Sequence, residues 1–366
     1  MNVGIIGCGK IADQHVEQIL RIPECNIVAV CDNEELMAKQ LKERFPVKYY
    51  FRDEERLLDA VGPGGIVHVT TPPMSHYEIG VKCFEAGCNV YMEKPFTVNS
   101  AEAEALIRLA ETKNLKITVG HNAQFTHAAC RMRALVKNGY LGGPPVHMEA
   151  YYCYNLGDQA YAKTMLSDRW HWVRKLPGKL LHNIISHGIS KVAEFIPTDQ
   201  PLVIAHGLSS QLLKNIHEED IVDELRVIID DRNSVTAYFT FSTQMTPKLH
   251  QLRLYGTKNA LVVDDDHQTL IRVKGTKYKS YLDQFIPPLQ FAKEYSANFW
   301  FNAKKFVRRD FHANHGMYML IDSFYRSVKE EISVPIPYRE ILLTATIMDN
   351  IFIQLKRQGS ATPVVA

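Results

Sequence analysis

A glycine-rich segment close to the N-terminus has the spacing of a phosphate-binding turn. Residues 7–12 read Gly-Cys-Gly-Lys-Ile-Ala and directly follow a short apolar run. In such a turn the first glycine permits a tight bend, the second lets a pyrophosphate approach the backbone, and the third small residue lets the helix pack on the strand. The start of the following helix adds amide donors and a partial positive charge. We therefore predict that a dinucleotide is contacted by Gly7, Cys8, Gly9, Lys10, Ile11 and Ala12.

An acidic residue follows the second apolar run at the distance that such a site requires. Asp32 lies 20 residues after Ala12, where its carboxylate can accept hydrogen bonds from an adenosine ribose diol. The negative charge repels a 2′-phosphate, and no arginine comes directly after it. The sequence therefore predicts NAD as the cofactor, while the next residue, Asn33, is compatible with either nucleotide and leaves NADP open.

Two further segments follow apolar runs and complete a recognisable pattern. Residues 71–76 read Thr-Pro-Pro-Met-Ser-His, and residues 93–96 read Glu-Lys-Pro-Phe. Open α/β sheets bind ligands at the carboxyl ends of their parallel strands, which is where both segments would lie. Together with residues 7–12, they closely resemble the Gfo/Idh/MocA family of NAD(P)-dependent oxidoreductases, named for glucose-fructose oxidoreductase and inositol dehydrogenase. The resemblance is close over the first 120 residues and looser beyond them.

The resemblance implies roles for both segments. In the family, the lysine of Glu-Lys-Pro contacts cofactor and substrate and assists proton transfer, which implies a catalytic Lys94 with Glu93 beside the cofactor. An ammonium near a bound hydroxyl would also stabilise a developing alkoxide. The alternative without a catalytic role is a solvated Glu-Lys pair in a loop. The resemblance further implies cofactor contacts from Thr71, Pro72, Pro73 and His76, although His76 could be an ordinary helix residue without a ligand.

A segment in the second half of the chain matches the family's substrate motif only in part. Residues 178–187 fall where the family has Gly-Gly-Gly-x-x-x-Asp-x-Gly-x-His, whose aspartate and histidine hold and deprotonate the reacting hydroxyl. His187 stands at the histidine position, but Asn183 replaces the aspartate and Ile185 replaces the glycine. Asparagine can position a hydroxyl but cannot act as a base. Proton transfer would then depend on His187, Lys94 or a water between them.

The same segment forms a polar stripe on an otherwise apolar helix, which needs a cavity or buried partners. The stripe consists of His182, Asn183, Ser186, His187 and Ser190. We expect His187 to face substrate, with a structural histidine as the alternative. We expect no metal site from these histidines, because a spacing of five does not place His182 and His187 on one helical face and no carboxylate is near in sequence.

Three other segments leave alternatives open. Asn122 resembles a family residue near the nicotinamide or substrate, with helix capping as the alternative, and Gln124 stands where the family usually has arginine. Residues 169–172, Arg-Trp-His-Trp, suit either a sugar-stacking wall or core packing. The run 285–311 interleaves aromatic and basic residues. It suits a subunit interface or core helix, a site for anionic ligand phosphates, or a membrane-surface element.

The elements that would position these residues follow from periodicity. In the first 120 residues, short apolar runs alternate with amphipathic stretches, which predicts βαβ units. Strands are predicted near Asn2–Ile6, Asn26–Cys31, Lys48–Tyr50, Gly65–Thr70, Asn89–Met92 and Lys116–Val119. The predicted fold is an α/β Rossmann domain with a doubly wound parallel sheet over residues 1–121, followed by an α+β domain over 122–366 for substrate binding and oligomerisation. The second domain's predicted sheet is open and largely antiparallel.

Elements are predicted in the second domain in the same way. Strands are expected near His147–Tyr154, Leu202–Ser209, Leu225–Asp230, Ser234–Ser242, His250–Tyr255 and Ala260–Asp264, forming a sheet with one wet face. A helix near His127–Lys137 precedes them. Helices near His182–Phe195, Gly316–Lys329 and Arg339–Gln358 are expected to cover the other face of the sheet.

Composition limits the class of protein. Of 366 residues, 46% are hydrophobic and 22% charged, which is typical of a globular protein and excludes a disordered or fibrous one. A net charge of +2 without long single-sign blocks gives no reason to expect a nucleic-acid partner. Seven cysteines without a Cys-x-x-Cys pair favour reduced thiols. Without a signal-peptide pattern or a long apolar run, we expect a cytoplasmic protein with no membrane partner.

These observations and the resemblance together predict an activity. We expect reversible hydride transfer between nicotinamide and a secondary hydroxyl of a sugar, nucleotide sugar or inositol, with Lys94 and His187 handling the proton. One alternative is a glycosidase-like or epimerase-like enzyme that recycles bound NAD without net redox change. Another is a catalytically inactive NAD-binding sensor. By resemblance we also expect a homodimer or homotetramer.

Overall fold

The chain folds into two units, each with its own sheet. The computed structural model describes residues 1–156, 166 and 168–360. The first unit comprises Met1–Asn122 and Gly316–Ala345, and the second comprises Ala123–His315 and the chain from Thr346 onward. The sequence predicts a single boundary, between residues 121 and 122, with residues 316–345 in the second domain. In the structure, residues 316–345 belong to the first unit.

The sheet of the first unit has six parallel strands in the order β3-β2-β1-β4-β5-β6. This order, with a switch at the centre and helices between successive strands, confirms the doubly wound Rossmann fold. The strands are β1 (Asn2–Ile6), β2 (Asn26–Cys31), β3 (Tyr49–Phe51), β4 (Ile66–Val69), β5 (Asn89–Met92) and β6 (Ile117–Val119). The helices between them are α1 (Lys10–Ile19), α2 (Glu35–Arg44), α3 (Glu54–Val61), α4 (His76–Glu85) and α5 (Ser100–Thr112).

Local sequence explains why these elements form. Every residue of β4 and β5 is buried, as expected for central strands that helices cover on both faces. Two helices of the first unit, α3 and α5, begin at side-chain caps. Asp53 accepts a hydrogen bond from the backbone of Arg56 at the start of α3, and Asn99 accepts one from Glu102 at the start of α5. The apolar runs and caps therefore determine the alternation that the sequence predicts.

The sheet of the second unit has seven strands in the order β13-β12-β11-β7-β10-β9-β8. All neighbouring pairs are antiparallel except β7 and β10, which run parallel, so the largely antiparallel sheet is confirmed. One strand, β13, was not predicted. The strands are β7 (His147–Asn155), β8 (Leu202–Leu208), β9 (Glu224–Asp230), β10 (Thr236–Ser242), β11 (Gln244–Tyr255), β12 (Asn259–Asp264) and β13 (Thr269–Lys274).

Burial alternates along β8 and β9, as it does in a sheet with one wet face. The remaining helices are α6 (His127–Lys137), α7 (Lys179–Ile184), α8 (Ser186–Ala193), α9 (Gln211–Asn215), α10 (Leu282–Val307), α11 (His315–Lys329) and α12 (Tyr338–Ser360). The single helix predicted near His182–Phe195 is two helices, α7 and α8, which meet at Ile185.

Helix α11 does not cover the second sheet as predicted. Almost all of it belongs to the first unit. The Tyr325 hydroxyl lies 2.8 Å from Nε2 of His68 on β4, and the Lys116 ammonium beside β6 donates to the carbonyl of Ile332 at 2.6 Å. Both interactions join residues more than 200 positions apart in the sequence, so local pattern could not reveal them.

The aromatic and basic run 285–311 is mostly helix α10, and its large apolar side chains are not in a core. Eight of them are 53–81% exposed, so the core interpretation is wrong for this face. The eight are Leu282, Phe285, Leu289, Tyr295, Phe299, Trp300, Phe306 and Val307. Across the described ranges, no helix has the length and apolar character needed to cross a bilayer.

Candidate dinucleotide site and catalytic residues

The turn between β1 and α1 has the shape that a pyrophosphate site requires. Gly7 has φ +96°, and a Cβ there would lie 2.8 Å from the backbone of both Thr70 and Thr71. Gly9 is extended, and a Cβ there would meet nothing within 4 Å. No side chain caps the start of α1. A helix start with uncapped amides beside open space at Gly9 therefore fits a bound phosphate group.

Asp32 is held in a fixed orientation beside this turn. Its Oδ2 accepts a hydrogen bond from the Cys8 amide at 2.7 Å, and its Oδ1 accepts one from the Glu34 amide at 2.9 Å. Each oxygen keeps lone pairs for a ribose diol. The Cys8 side chain is buried, and burial, followed by the nearby charge of Asp32, raises the thiol pKa. Cys8 is therefore a packing residue whose backbone joins the turn to Asp32.

A cavity of about 590 Å³ opens along the strand ends of the first unit. Six predicted cofactor residues line it: Gly7, Gly9, Asp32, Asn33, Thr71 and Pro72. The other predicted residues are not on its wall: Cys8, Lys10, Ile11, Ala12, Pro73, His76, Glu93, Lys94 and Asn122. The cavity thus brings together the glycine turn, the acidic residue and the Thr71 segment. The roles assigned to individual residues stay predictions.

Arg52 also lines this cavity, and the sequence analysis missed it. It follows β3, and its Nε donates to the Asn33 carbonyl at 3.2 Å. In the sequence, Arg52 lies 20 residues after Asp32, whereas the predicted preference for NAD rests on the lack of an arginine directly after Asp32. Strand β3 pairs with β2, however, so the residue after β3 reaches the same edge of the sheet. A guanidinium at this place is a ready partner for a 2′-phosphate.

Asp32 and Arg52 should therefore have opposite effects on cofactor choice. Asp32→Asn is expected to weaken NAD binding by about tenfold and to improve NADP binding, because it removes the charge that repels the 2′-phosphate. Adding Arg52→Ala to this variant should reverse the gain in affinity for NADP and barely change the affinity for NAD. Calorimetric titration of both nucleotides measures the four affinities. Equal NADP affinity with and without Arg52 would contradict its assignment.

His76 connects the two segments that follow β4 and β5. The ring is fully buried, with Nε2 2.8 Å from the Thr71 carbonyl and Nδ1 3.0 Å from the Pro95 carbonyl. Burial lowers its pKa, although these carbonyls oppose the effect. The ring therefore links the Thr71 and Pro95 segments, which is a structural use for this residue. A direct contact to cofactor stays a prediction.

Glu93 anchors a buried hydrogen-bonded chain inside the first unit. Its Oε1 lies 2.9 Å from Nε2 of His15, whose Nδ1 lies 2.8 Å from Nδ1 of His68. The chain ends at the hydroxyl of Tyr325, and all four side chains are buried. Burial and the neighbouring His15 hold the pKa of His68 well below its ordinary value. Every group is satisfied when Tyr325 donates to His68, His68 to His15, and His15 to Glu93.

This chain keeps Glu93 ionised and fixes the segment that contains Lys94. Burial alone would raise the pKa of Glu93, but the hydrogen bond from His15, and after it the charge of Lys94, hold the pKa below its ordinary value. Oε2 of Glu93 accepts a hydrogen bond from the Lys94 amide at 3.0 Å. The solvated-pair alternative is therefore wrong for Glu93. Nothing in the sequence indicates these hydrogen bonds, because neither His15 nor His68 belongs to a motif.

Lys94 lies directly after β5 and is partly buried. Burial lowers the pKa of its ammonium, and the charge of Glu93 opposes that shift. A lysine with a lowered pKa gives up its proton more readily than an exposed lysine does, and so suits proton transfer. Physical chemistry thus supports the function that the resemblance implies for Lys94.

Asn122 is not a helix cap. It lies at the end of the first unit, where its Oδ1 accepts a hydrogen bond from the Tyr91 hydroxyl at 3.0 Å. The cap of α6 is Thr126, whose side chain accepts from the amide of Ala129. The capping alternative is therefore wrong, while a contact to nicotinamide or substrate stays a prediction.

In the second unit, the predicted substrate residues lie on α7 and α8. Asn183 is buried and His187 is partly buried, while His182 stacks on Phe352 with ring centroids 4.8 Å apart. The His187 ring stacks on Tyr152 of β7 at 5.5 Å. The polar stripe therefore faces inward against aromatic neighbours, which explains how an apolar helix accommodates it.

A polar cluster around His187 was missed by the sequence analysis. The ring centroids of Tyr152 and His250 lie 4.2 Å apart, and Nδ1 of His250 lies 2.9 Å from Oδ1 of Asp266. Lys191, buried on α8, forms an ion pair with Asp265. Burial raises the pKa of Tyr152, and Asp265 and Asp266 raise it further. The only indication in the sequence was Lys191, a charged residue one helical turn after His187.

Two buried atoms of this cluster have no hydrogen-bond partner within the described part of the chain, namely Nε2 of His250 and Oδ1 of Asp265. Buried polar atoms normally have partners, so unsatisfied ones beside His187 suit a polar ligand or ordered water. Burial lowers the pKa of His250, with Asp266 opposing the shift. The cluster has the donors and acceptors that recognition of several hydroxyl groups requires.

The remaining aromatic and polar candidates differ in how deeply their side chains are buried. Trp170 is 84% exposed, so core packing does not explain it, and the ring of Trp172 stacks on His171 at 5.6 Å. Gln124 is buried, and its Nε2 donates to Glu194 at 3.3 Å. Gln124 therefore has an internal partner in the second unit.

A third cluster contains metal-ligating residue types, but a lysine already pairs with its carboxylate. The ligand atoms of His127, Asp310 and His315 lie within 4.8 Å of one another. The Lys305 ammonium, however, lies 2.5 Å from Oδ2 of Asp310, and Nε2 of His127 lies 2.8 Å from the Asp310 carbonyl. A cation would have to compete with this ammonium, so the ion pair is the better account of the cluster.

The order of the first sheet, the glycine turn, the acid after β2 and the cavity at the strand ends define a dinucleotide-binding Rossmann domain. Residues 1–121 match the family model described as "Oxidoreductase family, NAD-binding Rossmann fold". Over these residues the chain therefore matches the model of the family that it was found to resemble, Gfo/Idh/MocA.

The individual proteins to which the chain is similar are dehydrogenases, which agrees with the family match. The chain is 26% identical over 146 residues to myo-inositol 2-dehydrogenase of Thermotoga maritima, covering 40% of this chain and 43% of that protein. It is 31% identical over 143 residues to D-glucoside 3-dehydrogenase of Escherichia coli, covering 39% and 40%. The chain thus spans about half the length, or less, of these curated relatives.

A solved structure shows the fold over a greater length. The WlbA dehydrogenase from Bordetella pertussis, in complex with NADH and UDP-GlcNAcA, has a TM-score of 0.76 at 13% identity. The match covers 98% of this chain and 96% of that one. At this identity the likeness establishes the fold alone, and it does so for both units of the chain.

Proposed function

We propose that this chain is an NAD-dependent oxidoreductase that transfers a hydride between nicotinamide and a secondary hydroxyl of a sugar, nucleotide sugar or inositol. The observation that supports it most directly is Lys94, which follows β5 with a lowered pKa next to an anchored carboxylate. The names of the relatives, which are dehydrogenases of inositol and glucosides, favour the same substrate class. NADP is the second choice of cofactor, with Arg52 as its partner.

In this proposal, each group has a separate role. The glycine turn and the start of α1 hold the pyrophosphate, and Asp32 holds the ribose. Bound NAD supplies the hydride acceptor at its nicotinamide ring. Lys94 stabilises the developing alkoxide and takes the hydroxyl proton at its Nζ. Glu93 stays ionised and keeps the segment in place.

The second unit supplies substrate recognition. His187 is assigned as the group that shares the hydroxyl proton, and Asn183 as a residue that orients the hydroxyl without accepting its proton. The cluster of Tyr152, Lys191 and His250 is assigned to the other hydroxyls of a polyhydroxylated substrate. Its unsatisfied atoms and its mixture of donors and acceptors support this assignment.

The role of His187 can be tested against a matched histidine. His187→Gln is expected to lower kcat about 10- to 100-fold in an NADH-formation assay over a panel of polyols and nucleotide sugars, because glutamine cannot transfer the proton. His206→Gln, on the exposed side of β8, should leave kcat unchanged. A panel that yields NADH equally well with and without His187 would contradict its catalytic role.

The replacement of the family's aspartate by Asn183 also supports a second candidate, an enzyme that recycles tightly bound NAD with no net redox change. Mass analysis of nucleotide that copurifies with the protein separates the two candidates. NAD retained through purification, with sugar products but no NADH absorbance, would favour recycling. An empty protein that exchanges NAD freely would favour the dehydrogenase. NAD binding without any turnover on the whole panel would indicate a sensor.

We further infer that the protein is cytoplasmic and forms homo-oligomers. All seven cysteines are free thiols, which suits a reducing compartment. On the open face of the second sheet, Ile204, Ile228 and Tyr238 form an exposed apolar row across β8, β9 and β10. An apolar row on an open sheet face favours pairing with another copy, as a dimer or a tetramer.

A further inference from the structure

Helix α10 is held in place by polar residues. The side chain of Asn298 is fully buried, with Nδ2 donating to the Leu270 carbonyl at 2.9 Å and Oδ1 accepting from the Leu270 amide at 3.0 Å. One turn earlier, Glu294 forms an ion pair with Arg272 at 2.7 Å. One turn later, Asn302 donates to the His267 carbonyl at 3.1 Å. The spacing of four places these three residues on one face, so the centre of the inward face is polar, with Phe301 packed beside it on His127.

The outward face of the same helix is apolar. The eight side chains that are 53–81% exposed run along its whole length, from Leu282 to Val307. A surface helix of a globular protein normally has the opposite arrangement, with its apolar stripe inward and its charges outward. Large exposed apolar patches mark surfaces that something else covers. The reversal therefore indicates an external apolar partner for α10.

Charge around the apolar face is strongly positive. Between residues 274 and 309, the chain has eight basic residues and two acidic ones, whereas the whole protein has a net charge of only +2. Both acids are engaged, Glu294 with Arg272 and Asp283 with the Tyr278 amide. Seven of the basic side chains are exposed: Lys274, Lys277, Lys279, Lys293, Lys304, Arg308 and Arg309. The partner of this face should therefore be apolar and anionic.

A second copy of the chain fits this surface poorly. In a two-fold symmetric contact the same patch meets itself, which would place the exposed lysines and arginines of both copies against one another. A bilayer with anionic lipids instead offers negative headgroups above an apolar layer. Trp, Tyr and Phe side chains suit that boundary because their rings combine apolar faces with polar edges.

We propose that α10 docks on an anionic lipid surface, lying in the plane of the membrane with its aromatic and leucine side chains among the headgroups. The exposed basic residues contact lipid phosphates around this face. The helix is about 39 Å long at 1.5 Å per residue, so it presents an extended strip of apolar surface. This docking goes beyond the proposed oxidoreductase activity and does not depend on it. It departs from our expectation of no membrane partner, because only the structure shows that the apolar face points outward.

Vesicle flotation with the full chain tests the proposal. Vesicles of phosphatidylcholine alone are compared with vesicles in which a quarter of the lipid is phosphatidylglycerol. We expect binding to the anionic vesicles to be about tenfold stronger or more, and to weaken with added salt. Fluorescence of Trp300 should shift to shorter wavelength on binding, and Trp170→Phe with Trp172→Phe isolates that signal.

Variants separate the apolar and electrostatic contributions. Phe299→Ser with Trp300→Ser removes exposed apolar side chains, and Lys304→Glu with Arg308→Glu and Arg309→Glu reverses charge, so each set should weaken binding about tenfold or more without unfolding the chain. Leu36→Ser, an equally exposed leucine on α2, should have no effect. No binding to anionic vesicles, or binding that both variant sets leave unchanged, would overturn the proposal. A dimer that Phe299→Ser with Trp300→Ser disperses would overturn it too, because α10 would then bind a second copy.

Discussion

Replacing Lys94 with alanine is expected to lower kcat by about 10²- to 10³-fold, with the Kd for NAD changing by less than about threefold. The reason is that Lys94 is assigned to the proton and the developing alkoxide, while the pyrophosphate and ribose are held by other residues. Lys94→Arg keeps a positive charge but should recover little activity, because guanidinium does not give up its proton. Steady-state kinetics and calorimetric titration with NAD measure the two quantities.

A control and a pH profile distinguish this role from a structural one. Lys113→Ala removes a partly exposed lysine that pairs with Glu85 on the surface, and it should leave kcat unchanged. The charge of Glu93 raises the pKa of Lys94 against the lowering effect of burial. Glu93→Gln removes that charge, so the limb of the pH–kcat profile that belongs to Lys94 should move to lower pH.

Two outcomes would contradict the assignment of Lys94. An equal loss of kcat and of NAD affinity in Lys94→Ala would indicate that the lysine holds the cofactor and does not take part in proton transfer. A profile whose limb stays in place in Glu93→Gln would show that the titrating group is not Lys94.

Alanine at the two glycines of the phosphate-binding turn should affect different properties. Gly7→Ala is expected to lower the free energy of unfolding by about 3 kcal/mol, because Gly7 has φ +96° and its Cβ would press against the backbone of Thr70 and Thr71 at 2.8 Å. Gly9→Ala should change stability by less than about 1 kcal/mol, because its Cβ enters open space. It should nevertheless weaken NAD binding about 100-fold, because the methyl group occupies the approach of the pyrophosphate.

Thermal or denaturant unfolding gives the stabilities, and titration gives the NAD affinities. Each variant is the control for the other, since both add the same methyl group two residues apart. A Gly9→Ala protein that binds NAD as tightly as the parent would mean that the pyrophosphate does not lie at this turn. A Gly7→Ala protein of unchanged stability would show that the turn adapts to a side chain at positive φ.

The amino-acid sequence was sufficient to predict the architecture of the cofactor domain. Its six strands, the glycine turn and Asp32 are local features, since each depends on the order of apolar, small and acidic residues within a short stretch. The segment containing Lys94 could be placed for the same reason, because it directly follows a strand. The open sheet of the second unit was predicted from alternation along its strands, although β13 was missed.

The sequence did not reveal which distant residues meet. Glu93 contacts His15 across 78 positions, and His68 contacts Tyr325 across 257 positions. None of the other three residues in this series of hydrogen bonds belongs to a motif. Arg52 reaches the predicted adenosine end only because β3 pairs with β2. The return of residues 316–345 to the first unit has the same cause. Such contacts depend on sheet order and helix docking, which hydrophobic periodicity does not encode.

Helix α10 shows this difference most plainly. Its sequence establishes that aromatic and apolar residues recur along it among basic ones, and that Glu294, Asn298 and Asn302 share a face. Periodicity indicates which side chains lie together, but not which face is turned toward the protein. That direction was decided by Arg272 and by the backbone of Leu270 and His267, which satisfy the polar face of the helix. With those groups paired, the apolar face was left on the outside, because buried polar groups require partners that only the folded chain provides.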